Sequence, residues 1–149
     1  MNADETKPGL AIRVIWLDED MVELACSLAH GKFAGEATCY TTSPQLHDFA
    51  DALSRFSRTA EGQPTFESSL SDGSKACRFR AYTIDKAGHM AVHVRMLNNE
   101  TTTRPESVAR LEVEMLVEAW SLSEFAEQLR QIARTRTGEA MLAVSDAPA

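Results

Sequence analysis

The sequence contains no GxSxG elbow, no glycine-rich phosphate loop opening a helix, no HExxH and no paired CxxC element. Those gaps remove the recognisable routes to serine-nucleophile, phosphate-cradling, zinc-hydrolase and dithiol chemistry. Cysteine is scarce: Cys26, Cys39 and Cys77 are odd in number and dispersed over apolar segments. They read as buried free thiols, inert small hydrophobes rather than activated thiolates. No apolar stretch approaches the length of a membrane span, and the start Met1 to Pro8 lacks the basic and apolar regions of a signal peptide. A reducing cytoplasm is the expected compartment. Basic residues are outnumbered, 15 Lys and Arg against 22 Asp and Glu, for a net charge of −7. Nucleic-acid affinity is built from clustered cations that displace counterions, so no nucleic-acid partner is expected, and a charged partner would be basic.

What is present is ordinary for a folded domain. Of 149 residues, 44% are hydrophobic and 25% charged, enough apolar surface in a chain of this length for one core. Residues 1–9 read as a disordered leader, 10–136 as a single α+β domain and 137–149 as a flexible tail. Leu10, Ile12, Val14 and Trp16 alternate with less apolar positions, as in a strand. After the charged turn Asp18, Glu19, Asp20 the alternation resumes at Val22, Leu24, Cys26 and Leu28, and His30-Gly31-Lys32 joins it to a third strand over Phe33 to Thr41.

At Ser43-Pro44 the period changes. Ser43 suits a cap and Pro44 the first helical turn, and Leu46, Phe49, Ala50, Leu53 and Phe56 follow at helical spacing. Further strands are expected over Thr65 to Leu70, around Cys77 to Thr83, over His89 to Leu97 and over Val108 to Val117. Turns at Ser71 to Ser74 and Asp85 to Gly88 and a long polar loop, Asn98 to Pro105, separate them. A second helix, Leu122 to Arg134, opens with Ser121 and Glu124 in capping-box spacing. The pattern predicts an antiparallel meander of about six to seven strands in the order βββ-α-ββββ-α, with two amphipathic helices on one face.

The two helices echo one another: Leu46 with Leu122, Phe49 with Phe125, Ala50 with Ala126, Leu53 with Leu129, and Glu36 over Glu112 in the strands that lead in. Duplication of a strands-then-helix unit and convergence on one packing stripe both account for this. Either places the helices side by side.

Chemistry is harder to find. His89 and His93 share a strand face, with Asp85 or Cys77 available as a third metal ligand. Strand positions four apart are separated by roughly 13 Å along the backbone, so the histidines read as solvent-facing or cross-strand groups. No catalytic residue, metal or cofactor is expected, and the chain reads as a non-enzyme.

Two glycine-centred segments, Gly31-Lys32-Phe33-Ala34-Gly35 and Asp85-Lys86-Ala87-Gly88-His89-Met90, together with Leu46 to Phe56 and Leu122 to Ile132, resemble the small bacterial immunity proteins related to the wall-associated-protein toxin immunity type. The resemblance implies a protein of a polymorphic-toxin system that binds a cognate protein toxin and blocks its active site, without a cofactor. The densest acidic run, Asp18, Glu19, Asp20 and Glu23, is the docking surface expected for a basic toxin. The rival classes are a protein-binding or homodimeric scaffold module, monomer and homodimer both remaining open, and a small enzyme without a recognisable motif.

Overall fold

A computed structural model describes residues 8–68, 75–99, 106 and 108–145. The protein is α+β, with two helices and two antiparallel sheets of four strands each. In chain order the elements are β1 (Gly9–Leu17), β2 (Val22–His30), β3 (Phe33–Thr41), α1 (Ser43–Thr59), β4 (Thr65–Glu67), β5 (Lys75–Thr83), β6 (Met90–Asn99), β7 (Val108–Val117), α2 (Ala119–Thr135) and β8 (Glu139–Ala143).

The single large sheet expected from the meander pattern is instead divided. One sheet has the order β3-β2-β1-β8 and the other β4-β5-β6-β7. The division lies at α1: β4, the strand after that helix, does not return to β3 but adds to β5 as an antiparallel edge. The strand after α2 does the reciprocal thing, pairing with β1 across Gly9 to Arg13. This β8 corrects the expectation of a flexible tail over 137–149, because Ala140 and Leu142 are buried while their neighbours point outward. Five residues are too few for a two-residue period to stand out in sequence. Gly9, assigned to the leader, is likewise the first residue of β1. Residues 1–7, the Ser71 to Ser74 turn and most of the Asn98 to Pro105 loop lie outside the described residues, while Asn98 and Asn99 extend β6.

Each half of the chain repeats the same construction. The hairpins close at equivalent points, Val22 opposite Thr41 and Met90 opposite Val117. Each helix ends on a non-glycine residue in the left-handed region, Ala60 (φ 57°) and Arg136 (φ 60°), whose N–H bonds the carbonyl of Phe56 or Ile132. Two residues beyond each comes a glycine at positive φ, Gly62 and Gly138. Near the other ends, the Gln45 side-chain amide donates to the carbonyl of Glu67 in β4, and the equivalent Ser121 hydroxyl donates to the carbonyl of Ala143 in β8 at 3.1 Å.

These contacts relocate both caps. Thr42, not Ser43, caps α1, its hydroxyl accepting from the Gln45 N–H at 3.2 Å. The cap of α2 is Glu118, whose side chain makes no capping bond, while Ser121 is helical and turned inward. The expected capping box therefore does not form.

The helices pack on each other, and the equivalent stripes Leu46, Phe49, Ala50, Leu53 and Leu122, Phe125, Ala126, Leu129 are all buried. They are antiparallel: the first turn of α1 (Ser43, Pro44, His47) shares a depression with the last turns of α2 (Arg130, Ala133, Arg134). Both stripes and the inner faces of both sheets join one apolar cluster, which includes Leu10, Leu24, Phe79, Val94 and Met115. The sheets approach each other where β3 crosses β5 and β6. Close approach is also visible at Gly35, where a Cβ would lie 3.0 Å from the Leu111 side chain.

Candidate functional site

The four acidic residues singled out in the sequence stand together at one end of the β3-β2-β1-β8 sheet. Asp18, Glu19 and Asp20 form the exposed turn between β1 and β2, and Glu23 is the second residue of β2. Asp18 has a structural task first. Its Oδ1 accepts from the N–H groups of both Asp20 and Met21 at 2.8 Å. Those bonds, from Met21 and then Asp20, hold its carboxyl below the usual Asp range, with burial acting weakly the other way. Glu19 and Asp20 extend from the turn that Asp18 closes.

Beside this acidic turn lies an apolar group that sequence alone assigned to an ordinary strand. The register between β1 and β2 shifts between Val14 and Trp16, so Ile15 is an extra residue in the ladder. The bulge re-aims the end of β1, and Ile15, Trp16 and Leu17 are 43%, 49% and 43% exposed. Trp16 faces Glu23 across β1 and β2, and Glu23 in turn faces Tyr40 across β2 and β3. The Trp16 and Tyr40 rings, on the two strands that flank Glu23, meet edge to face with centroids 6.4 Å apart. The β1–β8 ladder stops at Arg13, and only the Val14 N–H, bonded to the Gly138 carbonyl at 3.1 Å, continues it. The last three residues of β1 thus combine exposed apolar side chains with a sheet edge that β8 leaves uncovered.

The outer face of the second sheet is charged. Arg78, Arg80 and Arg95 occupy β5 and β6, opposed by Glu67 on β4 and by Glu112 and Glu114 on β7. His93 Nε2 lies 2.8 Å from Glu112, the Tyr82 hydroxyl donates to Glu114 at 2.5 Å, and the Arg80 guanidinium sits 4.9 Å above the Tyr82 ring. Burial first, and then the bond to Glu114, pushes the Tyr82 phenol up to about 12. With three arginines facing three glutamates, this face mixes both signs, unlike the uniformly acidic β1–β2 turn.

The histidines and cysteines separate. His93 is on that outer face, while His89 Nδ1 contacts Asp85 Oδ2 at 2.6 Å in the β5–β6 turn. Cys77 is buried on the inner face, so the His89, His93, Asp85 and Cys77 set does not converge. Instead Cys77 meets Cys26 and Cys39: the three sulfurs lie within 4.8 Å of one another. All three thiols are free and buried, as the sequence suggested, but their convergence was invisible because β2, β3 and β5 come together only through the contact between sheets. Contacts to Cys39 and Cys77, and then burial, push the Cys26 thiol up; at Cys39 the Cys26 contact pulls down but the Cys77 contact and burial outweigh it; and the contacts to both bring Cys77 down to about 5 against burial.

A cavity of about 880 Å³ opens at the far end of the first sheet between β1, β2, β3, β8 and the start of α2. Its polar lining is engaged in structure: Glu36 accepts from Ser27 and pairs with Arg13, Ser121 bonds Ala143, and Gln128 accepts from the Met141 N–H. No family model, curated protein or solved structure matches the chain, and no helix among the described residues is long and apolar enough to cross a membrane.

Proposed function

We propose that the protein is a non-enzymatic immunity protein of a bacterial polymorphic-toxin system, and that it docks a basic cognate toxin on the end of the β1–β2 hairpin. The observation that carries this reading is the juxtaposition of exposed Ile15, Trp16 and Leu17 and half-buried Tyr40 with Asp18, Glu19, Asp20 and Glu23. Tryptophan and tyrosine are the side chains that most often anchor a protein interface, and an acidic rim around them speeds encounter with a cationic partner and selects against anionic ones. The toxin assignment itself draws on the family resemblance of the glycine-centred segments and the helices. The acidic excess agrees with a basic partner held by steric and electrostatic blockade.

The test is neutralisation. The protein should protect cells against one basic toxin encoded beside it, and a folded Trp16→Ala variant should bind that toxin roughly 30-fold or more weakly, the effect of losing a hot-spot residue. Glu19→Lys with Asp20→Lys should mainly slow association and flatten its salt dependence. Neutralisation undiminished in the folded Trp16→Ala, Tyr40→Ala double variant would remove this surface from the function. A chain that neutralises no neighbouring toxin would return it to the scaffold class.

A further inference from the structure

All three cysteines of the chain converge, from two strands of one sheet and one strand of the other, on a single point of the interior. Small hydrophobic residues suffice to fill a core, and nothing in packing alone requires every thiol to share one position. Cys26 and Cys39 are diagonal neighbours on adjacent strands, since Cys26 faces Ala37 and Cys39 faces Leu24, and both point inward. Cys77 reaches them from β5, near the end of its sheet. Its backbone is fixed there by two bonds beyond the β4 ladder, its N–H donating to the Ser68 hydroxyl at 3.3 Å and its carbonyl accepting from the Ser68 N–H at 3.1 Å.

We propose that Cys26, Cys39 and Cys77 form a three-sulfur site for a thiophilic ion, monovalent copper or trivalent arsenic. The spacing fits. Three sulfurs at about 2.3 Å from one ion stand about 4 Å apart in a planar site and somewhat closer around pyramidal arsenic, and the observed sulfurs already lie within 4.8 Å of each other. The ligand set holds no imidazole or carboxylate, and the three residues are 0–1% exposed. A hard cation has no oxygen to bind there, and zinc, which completes a tetrahedron, finds no fourth protein ligand and would have to bring a water into this apolar interior. Soft ions content with three thiolates remain.

The apolar setting ranks the two ions by charge. Arsenous acid and three thiols give a neutral arsenic trithiolate and three waters: three As–O and three S–H bonds break, three As–S and three O–H bonds form, and no electron is transferred. Copper(I) displaces two or three thiol protons to solvent and leaves a complex of net charge −1 or −2, which an apolar interior disfavours. Arsenic is therefore the tighter occupant. This site is remote in role from the hairpin end and does not depend on toxin binding.

The experiment is anaerobic titration of the full reduced chain with arsenite, copper(I) and zinc(II) in separate arms, followed by native mass spectrometry and X-ray absorption at the ion's edge. One arsenic per chain with three sulfur neighbours and no oxygen is expected, with copper second and zinc not retained. Single Cys26→Ala, Cys39→Ala and Cys77→Ala variants, checked for folding by circular dichroism, should each lose one-to-one uptake. Absence of uptake by the folded parent, fewer than three sulfurs around the ion, or undiminished binding by any folded single variant would overturn the proposal. Spectroscopy on the parent decides the matter even if a variant fails to fold.

Discussion

Phe49 and Phe125 occupy equivalent positions on α1 and α2, yet their surroundings differ, and that difference can be measured. Phe49 is 6% exposed and lies with its ring centroid 5.5 Å from Phe66 and 6.5 Å from Phe79. Phe66 and Phe79 are themselves stacked at 5.5 Å. The trio binds α1 to the β4–β5 edge. Phe125 is 1% exposed, but no aromatic pair among the described residues includes it. Truncation of a buried Phe to Ala costs about 3–5 kcal/mol through lost transfer energy and the cavity left behind. Either alanine variant therefore removes a large part of a total stability of about 5–15 kcal/mol.

Leucine substitution separates the ring term from the volume term. Phe125→Leu retains an apolar side chain of similar reach and should cost under about 1.5 kcal/mol. Phe49→Leu loses two ring contacts of about 0.5–1.5 kcal/mol each in addition, so it should cost about 1–3 kcal/mol more than its counterpart. Equilibrium urea unfolding reports this directly. With m of about 1–3 kcal/mol/M, the Phe49→Leu midpoint should fall clearly below that of Phe125→Leu. Coincident midpoints would refute the aromatic argument, and alanine variants with the parent's midpoint would refute the assignment of these residues to the core.

The other predictions follow from single contacts. Arg130 donates to Asp51 at 2.7 Å and, with burial opposing, holds that carboxyl below the usual Asp range. A lowered folded pKa contributes stability that is present above the ordinary Asp value of about 3.9 and lost as pH falls through the lowered one, so Asp51→Asn should flatten the acid limb of a stability–pH curve. An unchanged limb would discount the pair. Tyr82, raised to about 12 by burial and Glu114, behaves oppositely: its contribution is whole below the ordinary phenol value of about 10 and is lost as pH rises through the folded one. Ultraviolet titration should find one phenol ionising near pH 12, and Glu114→Gln should bring it down. Gly9→Ala places a Cβ 2.2 Å from the Leu142 carbonyl oxygen at a φ of +131°. It should cost about 1–3 kcal/mol or more of strain and speed hydrogen exchange at Ala140 and Leu142; unaltered protection of β8 would contradict its docking on β1.

Local chemistry is well written in the sequence and pairing over distance is not. The strands whose apolar residues alternate over nine or ten positions, and both helices with their Leu, Phe and Ala stripes, follow from periodicity. The Asp85-Gly88-His89 turn is equally plain: Gly88 takes φ +88° and the Asp85 carboxylate accepts the His89 N–H at 3.1 Å. The caps lie one residue before Ser43 and three before Ser121, because a hydroxyl in a helical first turn carries the same sequence signal whether it caps or bonds a neighbouring strand. Trp16 reads as the last inward position of a strand, and only the bulge at Ile15, which no residue type announces, turns it to the outer face. Of the candidate site, then, the acidic half was legible and the aromatic half was not.

The division into two sheets has the same origin, and it has a consequence for cooperativity. A strand of three to five residues such as β4 or β8 carries too little pattern to name its partner, and each partner here belongs to the opposite half of the chain. β4 leaves the first half to edge the second sheet, and β8 leaves the second half to edge the first. Neither half has its own fourth strand, and each helix buries its stripe against the other. A half folded alone would expose both a sheet edge and a helix face, so the halves are expected to unfold together rather than as separate units. The same exchange of edges brings β3 against β5, and with it the thiols of Cys26, Cys39 and Cys77. The three-sulfur cluster is a product of the completed fold, present only when both halves are in place, so an ion bound there would stabilise the whole chain against unfolding rather than one sheet of it.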